Sequence, residues 1–347
     1  MRGMSHAFGF RWDKLRQLCR RAVLCAMILP VSSRAQARTI EPGSYVMVAS
    51  SSADAGSLGN PAFLALTTDG TIAVYDFTDG TVRAFTRQLR PRWNFGRLGA
   101  GPGEFGNPTE MIVAGQGDEL LVLDASLSRV TRLRQDGRFI GSKGIGRTVP
   151  RLVQVGPDAF VCWENVGPKA VFLRCDQDLR SSDTVPLVPT NGPSNFMSTD
   201  PVFASAGARG AIVGFRWSDR LTLLDPQYKV RWTVRGPEPI DFATVVEVKA
   251  NIGVDARVQR IAPRSSRASR AISVDVRSNR VVVAFDGRSE QKGRVLDFFD
   301  LQSGRYQTSR VLPVSVADIV SRGDTLLVLE RDGEPRISRF IWRSKKE

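Results

Sequence analysis

Histidine is almost missing: there is one in 347 residues, at position 6. Cysteine stops at four, and two of those, Cys19 and Cys25, also sit near the start. Lysine is scarce beside arginine, 8 against 41. With the first 37 residues set aside, no histidine is left. Neither a Ser-His-Asp nor a Cys-His couple can then be assembled, and no zinc or haem can be held by imidazole. Long apolar runs are lacking too, since no segment approaches the roughly 18 to 20 continuous apolar residues of a membrane helix. The chain is nevertheless not poor in core material. At 42% hydrophobic and 8% aromatic it can bury a sizeable interior, which excludes a disordered protein.

The first 37 residues form the three-part pattern of a secretory signal peptide. Arg16, Arg20 and Arg21 close a basic region, Ala22 to Val31 is apolar, and Ala35-Gln36-Ala37 is a small-x-small cleavage site. The apolar part is only about ten residues, too short to span a bilayer. Bulky Leu24 before Cys25 disfavours a lipoprotein. The expectation is an extracytoplasmic protein, periplasmic or secreted, cleaved after Ala37, whose mature form does not span the membrane. That leader holds 7 of the 49 basic and 1 of the 35 acidic residues, leaving 42 against 34 in residues 38–347.

The mature chain repeats itself. Gly59-Asn60-Pro61 and Gly106-Asn107-Pro108 recur 47 positions apart, and each opens a short apolar strand, Ala62–Leu66 and Met111–Ala114. A turn and a second strand ending in an acid follow each, Ile72–Asp76 and Leu120–Asp124. Third strands come at Val82–Phe85 and Val130–Leu133, and fourth strands near Trp93–Gly96 and Phe139–Ser142. Four short strands in about 47 residues is the period of a β-propeller blade. Later units carry the same hairpin: Ala159–Glu164 with Ala170–Cys175, Ala211–Asp219 with Leu221–Leu224, Val281–Asp286 with Arg294–Phe299, and Thr325–Glu330 with Arg336–Trp342. Six blades fit the length better than seven, leaving irregular insertions at about 186–201 and 236–270. Within the second, Phe242, Val245, Val246 and Lys249 at spacings of three and four predict a short helix over Asp241–Ala250. The last unit has only three strands, so Ile40–Ala49 is expected to supply the fourth and close the ring. The expected fold is all-β, a single six-bladed propeller over 38–347 with its last blade completed by an N-terminal strand.

The stretch Phe95-Gly-Arg-Leu-Gly-Ala-Gly-Pro-Gly-Glu-Phe-Gly-Asn-Pro108, with Leu120–Asp124 and Ser128–Leu133 after it, resembles NHL-type repeats. It is similar in particular to exported bacterial six-bladed propellers with a Gly-x-Gly-Pro-Gly-Glu-Phe-x-x-Pro loop. The resemblance covers about residues 58–145 and departs at Gly80-Thr81-Val82, where the second blade has Ser128-Arg129-Val130. It implies a secreted ring used as a binding platform and leaves the ligand open.

Few side chains suggest chemistry. The second strands end in or beside Asp76, Asp124, Glu164, Asp219, Asp286 and Glu330. These could ring a cation, but carboxylates at hairpin starts more commonly accept backbone N–H groups, and a ring of such diameter cannot converge on one ion. The glycine-rich Gly99–Pro108 loop lacks the Lys-Ser/Thr of a phosphate loop and links two strands. It reads as a tight passage with Phe105 beneath it and Glu104 capping a turn. Asn60 and Asn107 are the first candidates for the channel mouth, with Arg151, Asp200 and Arg270 behind them. Cys162 and Cys175 flank a hairpin and suit either a disulfide or two buried thiols; they lack redox C-x-x-C spacing. Arg257, Arg260, Arg264, Arg267 and Arg270 form a basic run without aromatics, unlike a nucleic-acid surface. It reads as a solvated loop or a contact for anionic envelope material.

The reading is therefore a non-enzymatic, monomeric binding propeller for an unidentified envelope protein or small ligand. It calls for no cofactor, no metal and no nucleic acid. The alternative is a lactonase-like propeller hydrolase using a metal held by Asp, Glu and Asn.

Overall fold

Short β-branched and apolar runs punctuated by Asp, Asn and Gly leave the chain little choice but strands and tight turns. The computed structural model describes residues 37–51, 57–115, 118–166, 169–188, 195–249, 257–261, 266–288 and 290–345. The leader thus lies outside the described residues. Strand β1 (Gly43–Ser50) comes first. Five blades follow in chain order, each a four-stranded antiparallel meander. They are β2 (Pro61–Leu66), β3 (Ile72–Asp76), β4 (Thr81–Phe85) and β5 (Pro91–Phe95); then β6 (Pro108–Ala114), β7 (Glu119–Asp124), β8 (Arg129–Arg134) and β9 (Phe139–Gly144). The third holds β10 (Arg151–Gly156), β11 (Ala159–Val166), β12 (Lys169–Asp176) and β13 (Ser181–Thr184), and the fourth β14 (Pro201–Ser205), β15 (Ala211–Phe215), β16 (Ser218–Leu224) and β17 (Val230–Arg235). A separate hairpin, β18 (Val245–Lys249) with β19 (Arg257–Ile261), precedes the fifth blade. That blade is β20 (Ser269–Asp275), β21 (Arg280–Phe285), β22 (Val295–Asp300) and β23 (Tyr306–Val311). The sixth is β24 (Val316–Arg322), β25 (Thr325–Glu330), β26 (Ile337–Ser344) and β1, which pairs antiparallel with β26 from Gly43–Ser344 to Ser50–Ser338 with one register shift between Met47 and Ala49.

The burial pattern explains why the second strand of each blade reads as an unbroken apolar run. Blades pack face to face, so a second strand is covered on both sides. All five residues of β3 and of β15 are buried. Outer strands such as β9 and β13 are almost wholly exposed, and β13 is polar throughout. The core is not central. Among the described residues it is divided into one cluster at each of the six blade-to-blade interfaces, with a small seventh of Ile240, Ala268, Phe285 and Val295. Leu64, Ile72 and Phe85 of the first blade, for example, meet Leu327, Leu329 and Ile337 of the last. The inner strands β2, β6, β10, β14, β20 and β24 each neighbour the next, and β24 returns to β2, so the ring is closed.

Two expectations require correction. Asp241–Ala250 contains no helix in its described part: Val245–Lys249 is β18, paired antiparallel with β19. Three valines in four positions favour a pleated strand over a helix once a partner is available. Asp219 does not end a second strand. β15 stops at Phe215, a tight turn through Arg216 and Trp217 follows, and Asp219 lies on β16. Cys162 faces Leu173, and Cys175 faces Phe160. This is a two-residue shift from direct opposition, which keeps both cysteines on one face.

Candidate functional site

The six inner strands surround a channel cavity of about 350 Å³. Their N-terminal ends meet at one mouth, where four of them are irregular. Register shifts lie between Ala62 and Ala65, Pro108 and Glu110, Ser269 and Ala271, and Val316 and Asp318. Such bulges re-aim side chains and occur beside sites. Two of them set an acid, Glu110 and Asp318, into the channel wall.

Around these acids the mouth is a chain of alternating charge. Arg151 donates Nη1 to the Thr109 carbonyl at 2.7 Å and lies 3.5 Å from Glu110 Oε2. Its Nε is 3.8 Å from Asp200 Oδ1, and the other Asp200 oxygen accepts Arg216 Nε at 2.8 Å. Asp318 accepts the Leu64 and Ile319 amides, both at 2.8 Å, so it ties the last blade to the first. Burial pushes the Glu110 carboxyl up to about 7, with Asp318 adding to the rise and Arg151 opposing it. Burial likewise lifts Asp318 to about 6, against its two amide donors and Arg151. Arg270 forks onto Asp286, with Nη2 2.6 Å from Oδ2. Arg267 stacks over Trp217 beside them; burial and the neighbouring Arg216 and Arg270 lower its pKa.

The sequence-derived candidates separate. Arg151, Asp200 and Arg270 come together at this mouth, and Arg151 and Arg270 line the cavity itself. Asn60 and Asn107 are exposed and outside its lining. Their backbone amides instead donate to buried carboxylates, Asn60 to Asp76 at 2.9 Å and Asn107 to Asp124 at 3.2 Å. The terminal acids in general are fasteners. Asp124 accepts Gly106, Asn107 and Leu127 amides and the Ser126 hydroxyl. In later blades an arginine replaces the amides: Arg147 on Glu164, Arg235 on Asp219, Arg270 on Asp286 and Arg336 on Glu330. Among the described residues no three His, Cys, Asp or Glu side chains converge on a metal-sized site.

The glycine-rich loop is a tight passage. Phe105 is fully buried beneath it, and Glu104 accepts the Gly101 amide at 2.8 Å while pairing with Arg97. Gly96, at φ +95°, permits the approach: a Cβ there would lie 2.4 Å from the Phe105 ring. Cys162 and Cys175 are paired as a disulfide with Cα atoms 6.3 Å apart. In the basic run, Arg257 and Arg260 fall on β19, while Arg264 and the side chains of Arg257 and Arg260 lie outside the described residues. Sequence reasoning missed Glu110, Asp318 and Arg216. Its available signal was an acid at the third position of an inner strand, in Pro108-Thr-Glu110 and Val316-Ala-Asp318.

This architecture is a six-bladed β-propeller. No protein-family model matches the chain, and no curated protein matches it in sequence. The fold itself recurs among solved structures. A protein of Bacteroides fragilis assigned to export shares 10% identity over 90% of this chain and 98% of its own, with a TM-score of 0.53. The WD40 repeats of RRP9 share 9% identity, covering 88% and 100%, with a TM-score of 0.53. The PQQ-bound aldose sugar dehydrogenase of Streptomyces coelicolor shares 13%, covering 88% and 100%, with a TM-score of 0.51. At such identities the likeness is one of fold alone.

Proposed function

We propose that the protein is an exported, non-enzymatic binding propeller of the NHL-like kind. It takes a small polar ligand, or a charged side chain of an envelope protein, into the mouth formed by Glu110, Arg151, Asp200, Arg216 and Asp318. Export rests on the leader ending at Ala37; among the described residues no helix is long and apolar enough to cross a membrane. The single observation supporting a binding role is how the channel charges are engaged. Each carboxylate already meets a guanidinium or backbone amides, so the mouth is preorganised around a cavity large enough for a small molecule. A metal-dependent hydrolase would instead need at least three convergent oxygen ligands free of arginine. The alternating cluster favours ligands that bring both an acceptor and a donor, such as zwitterions or polyols.

The test is a thermal-shift and calorimetric screen of amino acids, short peptides, sugars and polyamines, run beside a lactone and ester panel with added calcium. The expected result is a ligand whose affinity falls about tenfold in Arg151→Ala, the scale of one lost charge-assisted hydrogen bond, with no turnover on the panel. Calcium-dependent lactone hydrolysis abolished by Glu110→Gln would overturn the reading.

A further inference from the structure

A second cavity, of about 200 Å³, opens at the opposite end of the channel, between the first and last blades. It lies past the C-terminal ends of β2 and β24, where Leu66 and Arg322 stand. Its floor is apolar: Leu66, Ile72, Val320 and Leu327. Its remaining lining is Thr325 and three arginines, Arg87, Arg322 and Arg339, with no carboxylate among them. This contrasts with the channel mouth, where Arg151, Arg216 and Arg270 all have acidic partners.

None of the three has a carboxylate within ion-pair distance among the described residues. The nearby Asp69 side chain pairs with Arg92, and Arg87 reaches only the Asp69 carbonyl, at 3.4 Å. Arg339 spends Nη1 on the Arg87 carbonyl at 2.8 Å and keeps its Nε–H buried without an acceptor. Three arginines around one small hollow with an apolar floor gather like charge that no described carboxylate offsets. An anion would offset it, and guanidinium forks match carboxylate and phosphate oxygens. The apolar floor, however, gives a bare inorganic ion nothing to bury.

We propose that this pocket is a binding site, separate from the channel mouth, for a monomeric anionic amphiphile. Its carboxylate or phosphate head is held by Arg87, Arg322 and Arg339, and the first part of its aliphatic tail lies on Leu66, Ile72, Val320 and Leu327.

Calorimetry on the mature chain tests it with octyl phosphate below its micelle concentration, inorganic phosphate, octyl glucoside and phosphatidylglycerol vesicles. Octyl phosphate should bind at least about tenfold more tightly than either inorganic phosphate or octyl glucoside, as expected when head and tail both contribute. Arg322→Gln and exposed Arg87→Gln should each weaken it severalfold at unchanged ligand-free melting temperature, and added inorganic phosphate should compete weakly. Equal binding of octyl glucoside, equal binding of inorganic phosphate, or indifference to both substitutions would overturn the proposal. So would vesicle binding lost in Arg322→Gln without any binding of monomeric octyl phosphate.

Discussion

At the scale of single residues, the carboxylates of the blades and of the channel divide into two kinds by what surrounds them. Asp124 is fully buried and is satisfied by three amides and a hydroxyl. Truncating it strands those donors, so Asp124→Ala should cost about 2–4 kcal/mol and lower the melting temperature by roughly 5 °C or more, read by calorimetry. Glu110 and Asp318 are the other kind. Their folded-state values of about 7 and about 6 lie above their ordinary 4.5 and 3.8. The folded chain therefore keeps protons that the unfolded chain has released, and stability falls as pH rises between about 4 and 7. Carboxylates whose values are lowered, such as Asp76 and Asp275, act in the opposite sense at more acidic pH. The melting temperature should decline from about pH 5 to 7 and level above. Glu110→Gln should flatten that decline and appear more favourable relative to wild type at pH 8 than at pH 5, on the order of 1 kcal/mol.

At the scale of elements, the β11–β12 hairpin carries a covalent staple where the other blades rely on packing. Cys162 and Cys175 occupy diagonal positions on one face of that hairpin. Thiol titration of the unfolded mature chain should find no free cysteine before reduction. Cys162→Ser with Cys175→Ser should lower stability by up to about 3 kcal/mol, the scale of a short closed loop. Arg147 reinforces the same edge by reaching Glu164, the Cys175 sulfur and the Leu179 carbonyl. The blade should thus survive reduction in a weakened form, visible as a lower melting temperature with retained β-sheet circular dichroism.

At the scale of the whole molecule, stability depends on closing the circle. Residues 38–41 fasten to the fifth blade before β1 completes the sixth. Ser309 donates its amide to the Thr39 carbonyl at 2.8 Å, Glu41 returns an amide to the Ser309 carbonyl, and Arg38 grips buried Asp297. Tyr45 then packs edge-on to Phe340 and Trp342. A chain beginning at Ser51 would lose both fastenings and open β26 to solvent. With one buried aromatic contributing roughly 1.5–3 kcal/mol and an exposed strand edge inviting association, it should aggregate or melt far below the chain beginning at Arg38. Removing Lys345–Glu347 should be nearly silent. Equal melting of the two N-terminal variants, by scanning calorimetry, would contradict the closure.

Local pattern was enough to reveal the class of architecture, because a blade's second strand is buried on both faces and, in the first two blades, ends at an acid that fastens its own turn. Those are short-range consequences of composition: Ile72–Asp76 and Leu120–Asp124 announce themselves wherever they stand. The last blade's missing strand was legible for the same reason, since an unpaired edge is a local deficit. The binding mouth was not. Asn60 and Asn107 look like site residues only until their amides are seen to serve Asp76 and Asp124. Glu110, Asp318 and Arg216 look unremarkable until two bulged strands and one turn, up to 208 positions apart, bring them to one channel. The β18–β19 hairpin replaced an expected helix because a partner strand supplied hydrogen bonds that periodicity within Asp241–Ala250 could not foresee. Sequence by itself determined the strands of the blades and most of their turns, through side-chain burial and turn chemistry. Which charges meet was decided only by closure of the ring, since contact across a channel depends on blade number and strand register and not on any spacing along the chain.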